Sequence, residues 1–193
     1  NASFLQISGK GTLEDFEASA QIDLTKGLKE IGAFVDLGGW QADGNIDLTV
    51  RITPGNDQPQ DLSASIAFAK LSVSDNGLPL ITEQDIGWTI TGSGDLAKHQ
   101  LAQLDIAHTS ALATGELVLT DLVGAIDDTP ATFGRLKANG RYALAKLNPF
   151  LHHFAGLPAE IHVDGQLSLQ AAAARKGTAT ELSALRIAVK DAT

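Results

Sequence analysis

The chain has 193 residues, 44% of them hydrophobic and 19% charged, with 14 Lys and Arg against 23 Asp and Glu and a formal net charge of −9. That balance excludes wholesale disorder. It also argues against binding to nucleic acid or to an anionic membrane surface, both of which are held by basic contacts to phosphate. The chain has no cysteine, which excludes disulfides, Cys-ligated zinc, iron–sulfur clusters and thiol nucleophiles.

A chain this long can bury a sizeable core without such staples. Aromatics are only 5% and glycines number 19, so the apolar content is small and aliphatic, as in thin, regular strands. No 18-residue apolar run is present to span a bilayer as a helix. Asn1-Ala2 open the chain without a Met and read as the remnant of a tag, and the rest as a piece of a longer protein.

Period-2 alternation is the dominant signal along the chain. Phe16, Ala18, Ala20 and Ile22 alternate with polar residues, and from Leu24 the spacing of Leu28, Ile31 and Val35 predicts a helix over about 25–36, closed by Gly38-Gly39. Ile46, Leu48, Val50 and Ile52 then alternate with Asn45, Asp47, Thr49 and Arg51, which predicts a half-buried strand. Leu62, Ala64, Ile66 and Phe68 follow. Their phase slips at Ala69-Lys70 before Leu71 and Val73, which predicts a β-bulge. Further strands are expected around Ile86, Trp88 and Ile90; Leu104, Ile106 and His108; Leu117 and Leu119; and Leu136 to Leu144. Asn148 and Pro149 predict the cap and first position of a second short helix, with Phe150, Leu151 and Phe154 on one face and Gly156 and Pro158 after it. Ile161, Val163, Gly165, Leu167 and Leu169 predict a strand, and Leu185, Ile187 and Val189 another. Turns are expected at Pro54-Gly55-Asn56-Asp57, Asp75-Asn76-Gly77, Gly92-Ser93-Gly94-Asp95 and Asp127-Asp128-Thr129-Pro130.

A shift of about 120 residues lays one part of the chain on another. Phe16, Ala18, Ala20, Ile22 and Leu24 fall on Leu136, Ala138, Gly140, Tyr142 and Leu144, and a short amphipathic helix follows in both. Asp43-Gly44 then meets Asp164-Gly165, and Leu62-Ser63-Ala64 meets Leu182-Ser183-Ala184. The expected fold is therefore mainly β: a curved antiparallel sheet of amphipathic strands with two short helices and an internal repeat of about 120 residues. Residues 3–125 are expected to form the first unit. Residues 126–193 are expected to form part of a second, continuous with the first.

The search for catalytic chemistry finds no constellation. His152 and His153 are adjacent on a helix and point about 100° apart, and no His-Glu-x-x-His motif accompanies them. His162 is expected to be exposed, and His108 shares the phase of Leu104 and Ile106, as a core or rim residue would. Asp127-Asp128 reads as a turn rather than a carboxylate pair, and Gly92-Ser93-Gly94 lacks the context of a phosphate loop. Asp43-Gly44 and Asp164-Gly165 lack the Asp series of a calcium loop. Trp40 and Trp88 read as core. No catalytic residue, metal ligand or cofactor is expected.

Two architectures fit the apolar rows. In one, the sheet curls without closing, and Ile46, Leu48, Val50, Ile66, Phe68, Ile86, Trp88 and Ile90 line a trough suited to acyl chains. In the other, the same rows pack in a closed core, and the chain is a structural or adhesive repeat with no ligand.

The stretches Gly140-Arg141-Tyr142-Ala143-Leu144-Ala145-Lys146-Leu147-Asn148-Pro149-Phe150-Leu151 and Leu157-Pro158-Ala159-Glu160-Ile161-His162-Val163-Asp164-Gly165-Gln166-Leu167-Ser168-Leu169 resemble the AsmA-like proteins of Gram-negative envelopes, a superfamily that includes TamB-like and YhdP-like proteins. Ile22 to Leu48 carries a weaker version of the same strand, helix and x-Gly-x-Leu-x-Leu order. The resemblance implies a curled β-sheet with a lipid-accessible groove, in a periplasmic segment of a longer, membrane-anchored chain. It implies a part in outer-membrane biogenesis by passage of phospholipid, with no catalytic residues. The expected partners are phospholipid, or another acyl-chain ligand, and the rest of that longer chain.

Overall fold

Alternating side chains give strands along most of the chain. A computed structural model describes residues 3–12, 14–55, 59–98, 100–122, 133–158, 160–176 and 179–191, and strands cover 67% of them. The strands are β1 (Leu5–Gly11), β2 (Phe16–Asp23), β3 (Trp40–Pro54), β4 (Gln60–Asp75), β5 (Leu78–Asp95), β6 (Gln100–Thr109), β7 (Ala113–Thr120), β8 (Arg135–Ala143), β9 (Gln166–Lys176) and β10 (Ala179–Lys190). Two short helices interrupt them, α1 (Leu24–Gly32) after β2 and α2 (Asn148–Phe154) after β8. All ten strands form one curved antiparallel sheet in chain order, which does not close into a barrel. Because direction alternates, both helices lie at the same end of the sheet, with the β4–β5 and β6–β7 turns. The sheet runs unbroken from β7 into β8, across the boundary expected between residues 3–125 and 126–193.

The predicted phase slip is a β-bulge. Asp43 pairs with Ser72 and Asn45 with Ala69, so Lys70 and Leu71 together oppose Gly44. Lys70 has φ 54° and Gly44 φ 126°. A Cβ on Gly44 would stand 2.9 Å from the carbonyl oxygens of both Ala69 and Lys70, so only glycine fits. Asp75-Asn76-Gly77 turns as expected: Asp75 pairs with Leu78, and Asn76 and Gly77 have φ 49° and 80°, the pair of positive angles of a type I′ hairpin.

Several expectations are corrected. Gly92-Ser93-Gly94-Asp95 is not a turn but the end of β5, where Gly92 pairs with Leu104 and Gly94 with Leu101 across a register shift. A Cβ on Gly94 would collide with the carbonyl oxygen of Gln100, so this glycine permits close backbone approach inside the ladder. The chain turns afterwards, through a 3₁₀ helix at Leu96–Lys98. The first helix ends at Gly32, so Val35 lies beyond it and is exposed. Ile161, Val163 and Gly165 precede β9 instead of belonging to it. Asn148 does not cap α2 but lies inside it. Its amide donates to the Val163 carbonyl at 3.1 Å, and its Oδ1 accepts the Val163 N–H at 2.8 Å, which takes Val163 out of any ladder. Asn56, Asp57 and the Asp127–Pro130 turn lie outside the described residues.

The sequence is long enough for a large core, but the described residues do not build one. Among the described residues, the buried apolar side chains are Leu71, Leu80 and Ala113. A compact monomer of this mass exposes roughly 8,800 Å², whereas this chain exposes 12554 Å². That excess is what a sheet with no second layer gives. Trp40 and Trp88, expected in the core, are 43% and 41% exposed for the same reason.

Candidate functional site

Register decides what the amphipathic strands present. Residues paired across a ladder share a face of the sheet. Ile46 pairs with Phe68, and Phe68 with Ile86; Leu48 pairs with Ile66, and Ile66 with Trp88; Val50 pairs with Ala64, and Ala64 with Ile90. The ladders thus bring all eight predicted groove residues onto one face, in three rows. Val50 and Trp88 are exposed, the other six are half-buried, and none is buried.

The rows run on in both directions. Ile22, Ala20 and Ala18 of β2 continue them on one side. On the other, the Ile90 row continues through Ile106, Leu117, Ala138 and Ala171 to Leu185. The Trp88 row continues through His108, Gly115, Gly140 and Leu169 to Ile187. One apolar face therefore crosses the sheet at right angles to the strands. The opposite face carries polar cross-strand pairs: Gln21 donates to Asp47 at 2.9 Å, Thr49 meets Ser65 at 2.6 Å, and Asn139 donates to Glu116 at 3.0 Å. Arg51 lies 2.7 Å from Glu17 there and, with Lys10, holds the Glu17 carboxyl below its usual pKa.

At the helix end, α2 folds back toward β4 and β5. His153 Nε2 lies 3.1 Å from Asp75 Oδ2. A cavity of about 350 Å³ opens under the helix. Ile86 and His108 of the apolar face line it, with Leu80, Leu112, Pro149 and Phe150. Two charged side chains enter it. Glu83 is 7% exposed, and its Oε2 accepts the Ala111 N–H at 2.9 Å. Its Oε1 lies 3.9 Å from Lys146 Nζ, which is half-exposed. The His108 ring rests 4.2 Å from that of Trp88, its Nε2 meets Ser110 Oγ at 3.2 Å, and its Nδ1 is buried without a hydrogen-bond partner.

The cavity was not legible in the sequence. Glu83 falls outside the alternating runs, and Lys146 is 63 positions away, in the 3₁₀ turn just before α2; only the way that segment folds back brings them together. His108 alone gave a signal, as a polar residue in phase with apolar neighbours. Among the described residues, no group of three or more His, Asp or Glu could hold a metal ion, and no helix is long and apolar enough to cross a membrane. The chain matches no family model, and no curated protein or solved structure shows significant similarity to it.

Proposed function

We propose that this chain is a non-enzymatic lipid-handling segment, whose apolar face receives the acyl chains of a phospholipid and offers them passage across the strands. The observation that supports this best is the alignment of apolar rows through all ten strands, with no second layer over them among the described residues. Burying an acyl chain there gains roughly 0.8 kcal/mol per CH₂ and needs no specific polar partner. The AsmA-like resemblance of Gly140–Leu151 and Leu157–Leu169 supports a periplasmic segment of a longer membrane-anchored chain with a part in outer-membrane biogenesis. The unpartnered outer edges of β1 and β10, with Ile7, Leu185 and Ile187 exposed on them, support a place within a longer sheet.

Native mass spectrometry of the purified chain should find co-purified lipid. Phe68→Asp and Ile90→Asp test the rows directly. In an open trough a new carboxylate keeps its water, so both variants should fold while photo-crosslinking to an acyl-chain probe falls several-fold. Crosslinking that is undiminished at wild-type stability would overturn the trough at these positions. Global unfolding would mean a sealed core instead, since an unpaired charge buried there costs several kcal/mol.

A further inference from the structure

Resting on the groove reading above, we propose that the cavity under α2 is a head-group site selective for a zwitterionic phospholipid with a primary ammonium, such as phosphatidylethanolamine. The ammonium would sit on Glu83 and the phosphate on Lys146, with the acyl chains leaving over Ile86 along the apolar rows. The cavity is continuous with those rows, because Ile86 and His108 belong to both.

The charges choose the head group. Glu83 is a buried carboxylate. Its Oε2 is committed to the Ala111 N–H, while its Oε1 has the Lys146 ammonium at 3.9 Å, too far for a hydrogen bond. A purely anionic head would draw Lys146 away and leave Glu83 buried without a counter-charge, which is strongly unfavourable. A zwitterion exchanges partners instead. Its ammonium replaces Lys146 at Oε1, and Lys146, half-exposed on a flexible stem, swings to the phosphate. Every charge stays paired, and the new contact at Glu83 is a charge-assisted hydrogen bond in place of a loose ion pair.

The test compares lipids with the same two oleoyl chains and different heads, bound to the purified chain. Phosphatidylethanolamine should bind more tightly than phosphatidylethanol, which differs by the missing ammonium, by on the order of tenfold, the loss of one charge-assisted hydrogen bond. Glu83→Gln keeps an oxygen for the Ala111 N–H and should remove that preference, leaving phosphatidylethanol binding no weaker. Lys146→Met should weaken phosphatidylethanol and widen the preference for phosphatidylethanolamine, whose ammonium is then the counter-charge left for the buried Glu83. Free phosphoethanolamine, with no chains, should not compete. Equal binding of the two heads to the wild-type chain, or a preference that survives Glu83→Gln, would overturn the head-group site and leave the groove standing. Binding of neither lipid, or free phosphoethanolamine competing as well as the lipid, would overturn the groove reading itself. The comparison of heads on the wild-type chain stands even where Glu83→Gln does not fold.

Discussion

Asp23 and Ala143 lie 120 residues apart, at positions that the expected repeat aligns, and their backbones are nearly identical: φ −92° and ψ 106° for Asp23, φ −83° and ψ 105° for Ala143. Each ends a strand and begins a helical segment. Asp23 accepts the Lys26 N–H at 2.9 Å and caps a regular α-helix. Ala143 has no such oxygen, and the chain starts there as a 3₁₀ turn, Leu144–Leu147, before α2 forms. Further along, Gly44 and Gly165 stand at matching positions with φ 126° and 111°. The consequences diverge. The capped helix stays over its own unit, with Gly27 against Phe4 and Thr25 bonded to Asp43. The uncapped one is tied instead by Asn148 to Val163, and it reaches across the sheet to Asp75 and Glu83 of the other unit. One backbone plan thus serves two ends: a local helix that finishes a strand pair, and a displaced helix that closes a cavity at the end of the apolar face.

The largest effect should come from the shared glycines. Gly44→Val adds a side chain at positive φ and drives it into the Ala69 and Lys70 carbonyls, at a cost of about 3 kcal/mol or more. Gly165→Val meets the same backbone angle just before β9, and should cost about 1–2 kcal/mol. Urea unfolding of both variants measures the difference. Equal losses would mean that the bulge opposite Gly44 contributes nothing beyond the glycine conformation. Next comes Asn148→Ala, which removes both bonds to Val163 and should cost about 1–3 kcal/mol. Protease cleavage within 157–165 should rise in this variant while the segment after α1 stays as resistant as in the wild type. Cleavage rising equally in both segments would mean that the clamp is not local to the second unit.

The strands and their facing were legible in the sequence because one signal sufficed. Alternation fixed which residues of β3, β4 and β5 share a side, and the phase break at Ala69-Lys70 located the bulge. Elements set by contacts between distant segments were not legible. Gly92 to Asp95 has the composition of a turn, yet the ladder with Leu101 and Leu104 keeps it extended. Asn148 has the chemistry of a cap, yet Val163 takes both of its polar atoms. The cavity depends on Glu83, His108 and Lys146, from three separate elements, so no local pattern could group them. β1 was not legible because Leu5 and Ile7 are its only large apolar residues and Gly9 and Gly11 continue their face, too thin a pattern to stand out without its partner.

The smallest effect is the sharpest test of the two helix starts. Ala143→Asp places an acceptor where Asp23 has one, and should stabilise the second helix by roughly 0.5–1 kcal/mol. It should also import a pH dependence. The Lys26 side chain, then its backbone N–H, hold the Asp23 carboxyl below its usual pKa. A carboxylate depressed in the folded state contributes stability that is fully present above the ordinary aspartate value, and is lost as pH falls through the lowered one. Acidification through and below the ordinary aspartate range should therefore fray α1, read as loss of helical Cα chemical shift at Lys26 to Glu30. Asp23→Asn keeps a capping oxygen but has no proton to gain, so its α1 should stay flat over the same range. In the wild type, Ala143 offers no capping carboxylate to titrate, whereas the Ala143→Asp variant should fray there in acid as α1 does. An α1 that frays equally in wild type and Asp23→Asn would place the acid sensitivity elsewhere, and the cap would then be no cause of the difference between the two units.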